Sequence, residues 1–385
     1  MTREAAPLRG DQLDIAMLDR AARVAWRGAG CVEPNPMVGC VIGRADGTVL
    51  ATAHHERFGG LHAEAAALGR CTAQGADVRG ATAWVTLEPC NHVGKTPACS
   101  AALMAAGVGR VVYATADPNP CARGGAAMLR TAGVRVERCA GSALANAVSM
   151  PFVKRITTGL PWVIAKWAQT EAGFVSFEGG EPRWVTGERS RRDVHRLRGR
   201  VDAIVTGIGT VLADDPLLTV RGVPARRAPI RVVLDRKLRM PIDCNLVRTA
   251  AEAPTIVITA AQCALSDHAR ALKTAGVDVV AGGAGDGPGD LRSLFATLVD
   301  RFDVATVLVE SGPRVLGACA EAGLIDEAWV YVAKTPMDAR GALRIDQGML
   351  SAAGLGLVRE STLGADVRRI YWRGKYVVTS GGSGC

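Results

Sequence analysis

The chain has 385 residues, room for two or three domains at roughly 150 residues each. Apolar residues make up 48%, which excludes a disordered chain, and no apolar run reaches the roughly 18 residues that a membrane helix needs. The formal charge of +9 suits small acidic substrates. The basic residues are scattered outside Arg189–Arg200, and aromatics are only 4%, so no nucleic-acid-binding stripe is expected.

The first predicted element is a helix on which Leu13, Ala16, Met17, Ala21, Val24 and Ala25 recur at helical spacing. Glu33-Pro34-Asn35-Pro36 reads as a rigid turn, because each proline fixes its own φ and biases its predecessor toward extended geometry. Val38 to Ile42 and Val49 to Ala53 read as strands joined at the turn signal Asp46-Gly47. A helix follows from Ala63 to Arg70, then a strand from Ala83 to Leu87. Next come a helix from Ala98 to Ala106, a strand from Val111 to Thr115 and a helix from Gly124 to Ala132. This alternation predicts a three-layer α/β/α domain.

Gly141 to Gly159 reads as the boundary, giving expected domains at 1–148 and 159–379. Beyond it α/β alternation restarts, with strands expected at Trp162–Ala165, Ala203–Thr206, Ile230–Leu234, Thr255–Ile258 and Val304–Val309. Gly282 to Asp290 reads as a surface loop and Ser380 to Cys385 as a flexible tail. The eleven cysteines are odd in number, and Met1 to Gly10 has no apolar signal core. Reduced thiols or metal ligands in a cytoplasmic protein are therefore expected.

Three of those groups stand out. His62-Ala63-Glu64 is followed by Pro89-Cys90 and then Cys99. One imidazole and two thiolates make a three-ligand zinc set that leaves a fourth position for water. Glu64, two residues from His62 at a helix start, is placed to carry a proton without binding the metal. This is the donor set and shuttle of zinc deaminases, with one departure: eight residues rather than two separate the cysteines. The enlarged loop holds His92, Lys95 and Thr96. Two other readings stay open. Cys90 and Cys99 can be ordinary buried thiols with His62 capping a helix, or the zinc can be structural with Cys71, Cys121 or His92 as a fourth ligand.

Asn35-Pro36-Met37-Val38-Gly39, His62-Ala63-Glu64, the run Thr86 to Cys99 and Asp117-Pro118-Asn119-Pro120 resemble the riboflavin-biosynthesis deaminase/reductase family. That family belongs to the cytidine-deaminase-like superfamily. The resemblance implies a deaminase acting on 2,5-diamino-6-ribosylamino-4(3H)-pyrimidinone 5′-phosphate, with Asn35, His55, His92, Lys95 and Thr96 lining the substrate site. A lysine and a histidine are chemically apt partners for its phosphate.

Trp184-Val185-Thr186, Arg192 to Arg198 and Val205 to Arg221 resemble the reductase half of the same fusion. The resemblance implies a dihydrofolate-reductase-like α/β domain that uses NADPH to reduce the ribosylaminouracil phosphate product. It places Arg198, Leu218, Arg221 and Glu310 at the substrate and Lys166, Trp184, Thr210, Asp214 and Gly312 at the cofactor. Glu310-Ser311-Gly312-Pro313 leads from a strand into a helix, whose N-terminal N–H groups suit a phosphate.

This half departs from the family pattern. Ala172 stands for an Asp, Phe174 for a basic residue and Pro182 for a Ser, and a Leu-Gly-Gly loop expected near Met337-Asp338-Ala339 is missing. These changes converge on one pocket and predict weak or absent NADPH binding, with the half retained for stability or for building a homo-oligomer. The alternative functions are thus a deaminase-only paralogue feeding a toxoflavin-like azapteridine pathway, and a nucleoside or tRNA deaminase. A regulatory protein built around structural zinc is the non-catalytic alternative.

Overall fold

The computed structural model describes residues 9–92, 97–175, 185–225, 227–282, 288–334, 344–345 and 348–374. The chain divides into two compact units, Met1–Gly159 and Leu160–Thr379.

The first unit is built on a five-stranded sheet of β1 (Gly39–Gly43), β2 (Val49–His54), β3 (Thr82–Leu87), β4 (Arg110–Thr115) and β5 (Arg135–Arg138), in the order β2-β1-β3-β4-β5. β1 runs antiparallel to β2 and β3, whereas β3, β4 and β5 are parallel. Alternate residues of a strand face opposite ways, and the sequence fills both faces with apolar side chains. Val41, Trp84, Val112 and Ala114 pack with α1 (Asp11–Ala25) and α5 (Ala143–Thr158). Cys40, Ile42, Val85, Val111 and Tyr113 face the side of α2 (Ala63–Ala73), α3 (Cys99–Ala105) and α4 (Gly125–Thr131). Two layers of helix on one sheet give the expected three-layer arrangement.

The stretch expected as a boundary, Gly141 to Gly159, is instead mostly α5. Pro151 inside it reads as a helix breaker, yet both ends are capped. The Ser142 side chain accepts the Ala145 N–H at 3.0 Å, and Gly159 closes the helix in left-handed backbone at φ 67°.

The second unit has a nine-stranded sheet. Its strands are β6 (Trp162–Thr170), β7 (Ala203–Gly207), β8 (Ile230–Leu234), β9 (Thr255–Ala260), β10 (Asp278–Gly282), β11 (Thr306–Val309), β12 (Glu327–Ala333), β13 (Leu355–Leu363) and β14 (Asp366–Arg373). Their order is β10-β9-β8-β7-β11-β6-β12-β14-β13, parallel from β10 to β12 with an antiparallel hairpin at the end. α6 (Glu188–Arg198), α7 (Ile208–Asp214), α8 (Asn245–Arg248), α9 (Asp267–Thr274), α10 (Pro288–Phe302), α11 (Pro313–Glu321) and α12 (Gly348–Ala352) complete it. The expected surface loop from Gly282 gives way to α10 at Pro288, while residues 283–287 lie outside the described set. The parallel strands β7, β11 and β6 end at one edge, where an open α/β sheet presents a ligand crevice.

Candidate functional site

In the first unit the expected zinc ligands come from two helix starts and one strand exit. His62 precedes α2, Cys90 lies in the loop after β3, and Cys99 is the first residue of α3. His62 Nδ1 stands 3.5 Å from Cys90 Sγ and 3.3 Å from Cys99 Sγ. A tetrahedral ion with zinc-to-nitrogen and zinc-to-sulfur bonds of ordinary length holds such atoms roughly 3.6 Å apart, so the donor set fits zinc. Although His62 occupies the N-cap position of α2, its side chain caps nothing and turns to the sulfurs. Among the described residues the group that can hold a metal is His62, Cys90 and Cys99, all within 4.8 Å, and it includes none of Cys71, Cys121 and His92. Three protein ligands mark a catalytic rather than a structural zinc site.

Electrostatics follow from burial. The Cys99 thiol hydrogen-bonds the Cys90 sulfur, and this contact, helped by His62, lowers the Cys90 pKa and favours its thiolate. Glu64 is buried in the first turn of α2, and desolvation together with the Cys90 charge pushes its carboxyl up to about 7.

Two of the expected substrate residues join this group. The His55 Nδ1–H donates to Leu61 O at 2.8 Å, which leaves Nε2 as the acceptor that faces the Asn35 amide nitrogen at 3.5 Å. Burial lowers the His55 pKa and keeps the ring neutral. The His55 and His62 rings are 5.5 Å apart, and His92, exposed, lies 6.5 Å from His62. Lys95 and Thr96 lie outside the described residues.

A further support went unassigned in the sequence. The Glu88 carboxylate, two residues before Cys90, accepts the backbone N–H groups of Asp117, Gly124 and Ala126 at 3.2–3.3 Å. An added Cβ at Gly125 would lie 1.9 Å from Pro89 O, so only glycine lets α4 pack against the Pro89-Cys90 turn. The Thr-Leu-Glu-Pro-Cys run holds this signal, but nothing local says what Glu88 binds.

In the second unit Arg198, at the end of α6, donates to Glu310 through Nε at 2.7 Å and Nη2 at 2.9 Å. Lys166 Nζ lies 3.7 Å from the same carboxylate and 5.9 Å from the Tyr331 ring centre. Burial lowers the Lys166 pKa against the pull of Glu310. Arg198 Nη1 also donates to Thr219 O at 3.0 Å, and Arg221 Nη1 donates to the Thr219 hydroxyl at 2.7 Å. Thr219 thereby draws Arg198, Arg221 and the buried neighbour Leu218 together.

Thr210 and the exposed Asp214 sit on α7, which starts directly after β7, and Gly312 precedes α11 after β11. These two turns are joined where Ser311 Oγ accepts the Gly207 N–H at 3.0 Å. A Cβ added at Gly312 would meet nothing within 4 Å beyond its chain neighbours, so there is open space beside this residue at the start of α11. Trp184, Pro182 and the 337–339 segment lie outside the described residues. At the other departures, Arg344 Nη2 donates to Ala172 O at 2.7 Å and its guanidinium sits 4.8 Å from the Phe174 ring centre.

Comparison with known proteins agrees with both halves. A family model described as the cytidine and deoxycytidylate deaminase zinc-binding region matches residues 11–115, and one described as the RibD C-terminal domain matches residues 161–367. The riboflavin biosynthesis protein RibD of Actinobacillus pleuropneumoniae is 37% identical over 367 residues, covering 92% of this chain and 94% of its own. That of Escherichia coli K12 is also 37% identical, over 85% and 90% of the two chains. The structure of Acinetobacter baumannii RibD matches with a TM-score of 0.79 at 33% identity, covering 94% of this chain and 99% of its own. A Thermotoga maritima diaminohydroxyphosphoribosylaminopyrimidine deaminase/5-amino-6-(5-phosphoribosylamino)uracil reductase matches with a TM-score of 0.80 at 30% identity and the same coverage. None of these findings favours a deaminase-only paralogue or a nucleoside or tRNA deaminase. The chain belongs to the RibD family of bifunctional riboflavin-biosynthesis enzymes, with a zinc-dependent deaminase half and an NADPH-dependent reductase half.

Proposed function

We propose that the first unit deaminates 2,5-diamino-6-ribosylamino-4(3H)-pyrimidinone 5′-phosphate and that the second reduces the ribosyl group of the product with NADPH. The observation that carries the deaminase reading is the convergence of His62, Cys90 and Cys99 on one point with buried Glu64 beside them. Zinc held there supplies Lewis-acid activation of water. Glu64 takes the proton of the attacking water and returns one to the departing amine, which leaves as ammonia. Asn35 and neutral His55 orient the pyrimidine, and His92 with Lys95 and Thr96 of the enlarged loop bind the phosphate.

In the reductase half Arg198, Leu218, Arg221 and Glu310 hold the phosphorylated product. Lys166, Trp184, Thr210, Asp214 and Gly312 hold NADPH, which supplies the hydride. Glu310 keeps Arg198 and Lys166 at fixed positions and compensates their charge.

We assign the two catalytic domains to 1–148 and 159–379, with the tail of α5 between them. The free thiols of the buried Cys40, Cys71, Cys244 and Cys319 support work in the reducing cytoplasm, and no described helix is long and apolar enough to cross a membrane. β13 closes the nine-stranded sheet with Gly356 to Glu360 exposed, an edge that supports assembly into a homo-oligomer, testable by light scattering. The deciding experiment incubates the pure protein with the diaminopyrimidine phosphate, with and without NADPH. Products are identified by mass: loss of the amine without NADPH, and reduction only with it. Failure to consume the diaminopyrimidine phosphate would overturn the deaminase reading.

A further inference from the structure

The loop of residues 214–221, between α7 and β8, is held in an unfavourable shape. Asp215 has φ 37° and Leu218 has φ 49°. This left-handed backbone is uncommon for side chains with a Cβ and persists only where the surroundings over-determine it. Two side chains outside the assigned site do so. Asn245, at the start of α8, donates its backbone N–H to Asp215 Oδ1 at 2.7 Å and its amide nitrogen to Asp215 O at 2.8 Å. Arg231, on β8, donates from Nη1 to Leu217 O at 3.1 Å.

Arg231 is an odd residue for its position. It is fully buried between Ile230 and Val232 of a central strand. Its Nη1 also donates to the Thr249 hydroxyl, and Nη2 reaches the carbonyls of Leu246, Thr249 and Ala253 and the Thr255 hydroxyl, at 2.6–3.0 Å, while the buried Nε has no partner among the described residues. None of these partners is a carboxylate. A guanidinium buried on carbonyls and hydroxyls without a carboxylate is a poor way to stabilise a core, where an apolar side chain serves better. What an apolar side chain cannot do is tie the loop to α8. The two clamps are themselves linked, because the Thr249 hydroxyl that Arg231 binds donates to Asn245 O at 2.7 Å.

We propose that Arg231 and Asn245 are positioning residues for the reduction: together they preset the 214–221 loop so that Leu218 and Arg221 meet the phosphorylated substrate without first ordering the loop. The proposal rests on the reading of Leu218 and Arg221 as substrate contacts. A preset loop spares binding the cost of ordering it, so loosening it acts on KM more than on kcat.

The test uses the full chain and three variants. Asn245→Ala removes the amide contact to Asp215 O, together with the bond that the exposed Arg248 donates to Asn245 Oδ1 at 2.9 Å, and leaves the backbone bond to Asp215 Oδ1. Arg231→Lys keeps the charge but replaces the planar fork of the guanidinium by a single nitrogen that cannot span the same partners. Arg221→Ala tests the reading of the loop itself. NADPH consumption is followed against the concentration of deaminated ribosylaminouracil phosphate, with deamination by the same preparation as the control for folding. Hydrogen exchange reports the order of the 217–221 amides.

For Asn245→Ala and Arg231→Lys the expected result is a KM raised roughly 3- to 10-fold, the worth of one lost hydrogen bond. The expected kcat stays within about twofold, deamination is unchanged, and exchange at 217–221 is faster. If Arg231→Lys lowers deamination as well, Asn245→Ala alone decides. Faster exchange with an unchanged KM overturns the proposal, as does unchanged exchange. An unchanged KM in Arg221→Ala instead overturns the reading of the loop, and the positioning role falls with it.

Discussion

Arg198 grips Glu310 with two parallel hydrogen bonds, Nε to Oε1 at 2.7 Å and Nη2 to Oε2 at 2.9 Å. Burial alone would push that carboxyl up, but Arg198 and the nearby Lys166 outweigh it and hold Glu310 at about 2. The folded-state pKa is thus below the ordinary value of 4.5, and the unfolded chain binds more protons between the two. The pair's stabilising contribution is complete above about 4.5 and is lost as pH falls toward about 2. Urea unfolding of the second unit, followed from pH 6 to pH 2, should show stability declining across that window. Glu310→Gln should flatten this part of the profile, and an equally steep fall in the variant would remove Glu310 from the account.

Glu64→Gln should bind zinc as the parent does, because Glu64 is not a ligand, yet lose deamination by roughly 10²- to 10⁴-fold, the usual worth of a positioned proton carrier. Zinc content by mass spectrometry and ammonia release measure the two effects separately. Normal zinc with near-normal ammonia release would show that the proton travels elsewhere.

These residues were legible because their signals are short-range. His-x-Glu sits at a helix start, Pro-Cys at a strand exit, and Cys99 at the next helix start, so each ligand's placement follows from its own neighbours. The clamp on the 214–221 loop was not legible. Arg231 reads as one polar residue in an apolar strand, and its partners lie 14 to 24 positions away in sequence. The strands at the end of the sheet were missed for a different reason. β13 is exposed on both sides from Gly356 to Glu360, so no alternating apolar pattern marks it. β12 is missed although six of its seven residues are buried, because a short apolar run has no period to separate strand from helix.

Cys99→Ala should empty the zinc site while leaving the reductase half at work. The variant keeps only His62 and Cys90, and two ligands hold zinc far more weakly than three. Deamination should fall to background, but supplied deaminated product should still drive NADPH consumption within about twofold of the parent. Parallel loss of both activities would show that the substitution disturbs folding beyond the first unit.

Lys95→Ala tests the phosphate assignment. A charge-assisted contact contributes about 1.5–3 kcal/mol, or roughly 10- to 150-fold in kcat/KM. The loss should appear with the phosphorylated pyrimidine and vanish with its dephosphorylated analogue, on which parent and variant should act equally. Equal losses on both substrates would place Lys95 at the base or the metal instead.

Gly312 offers a test of the cofactor site that leaves the fold in place. Its φ is −69°, a conformation open to any residue, and a Cβ there would meet nothing within 4 Å beyond its chain neighbours. Because Gly312 is the N-cap of α11, where Gly is preferred over Val, Gly312→Val should cost about 1 kcal/mol of stability. If NADPH places a phosphate on the first turn of α11, the added methyl groups occupy that space and block the backbone N–H groups. Losing one or two such charge-assisted bonds weakens binding by roughly tenfold or more. Calorimetric titration of NADPH into the parent should show saturable binding despite the changes at Ala172 and Phe174, and the variant should bind that much more weakly with a melting temperature lowered by only about 2–4 °C. Equal affinity in both would move the cofactor phosphate away from α11.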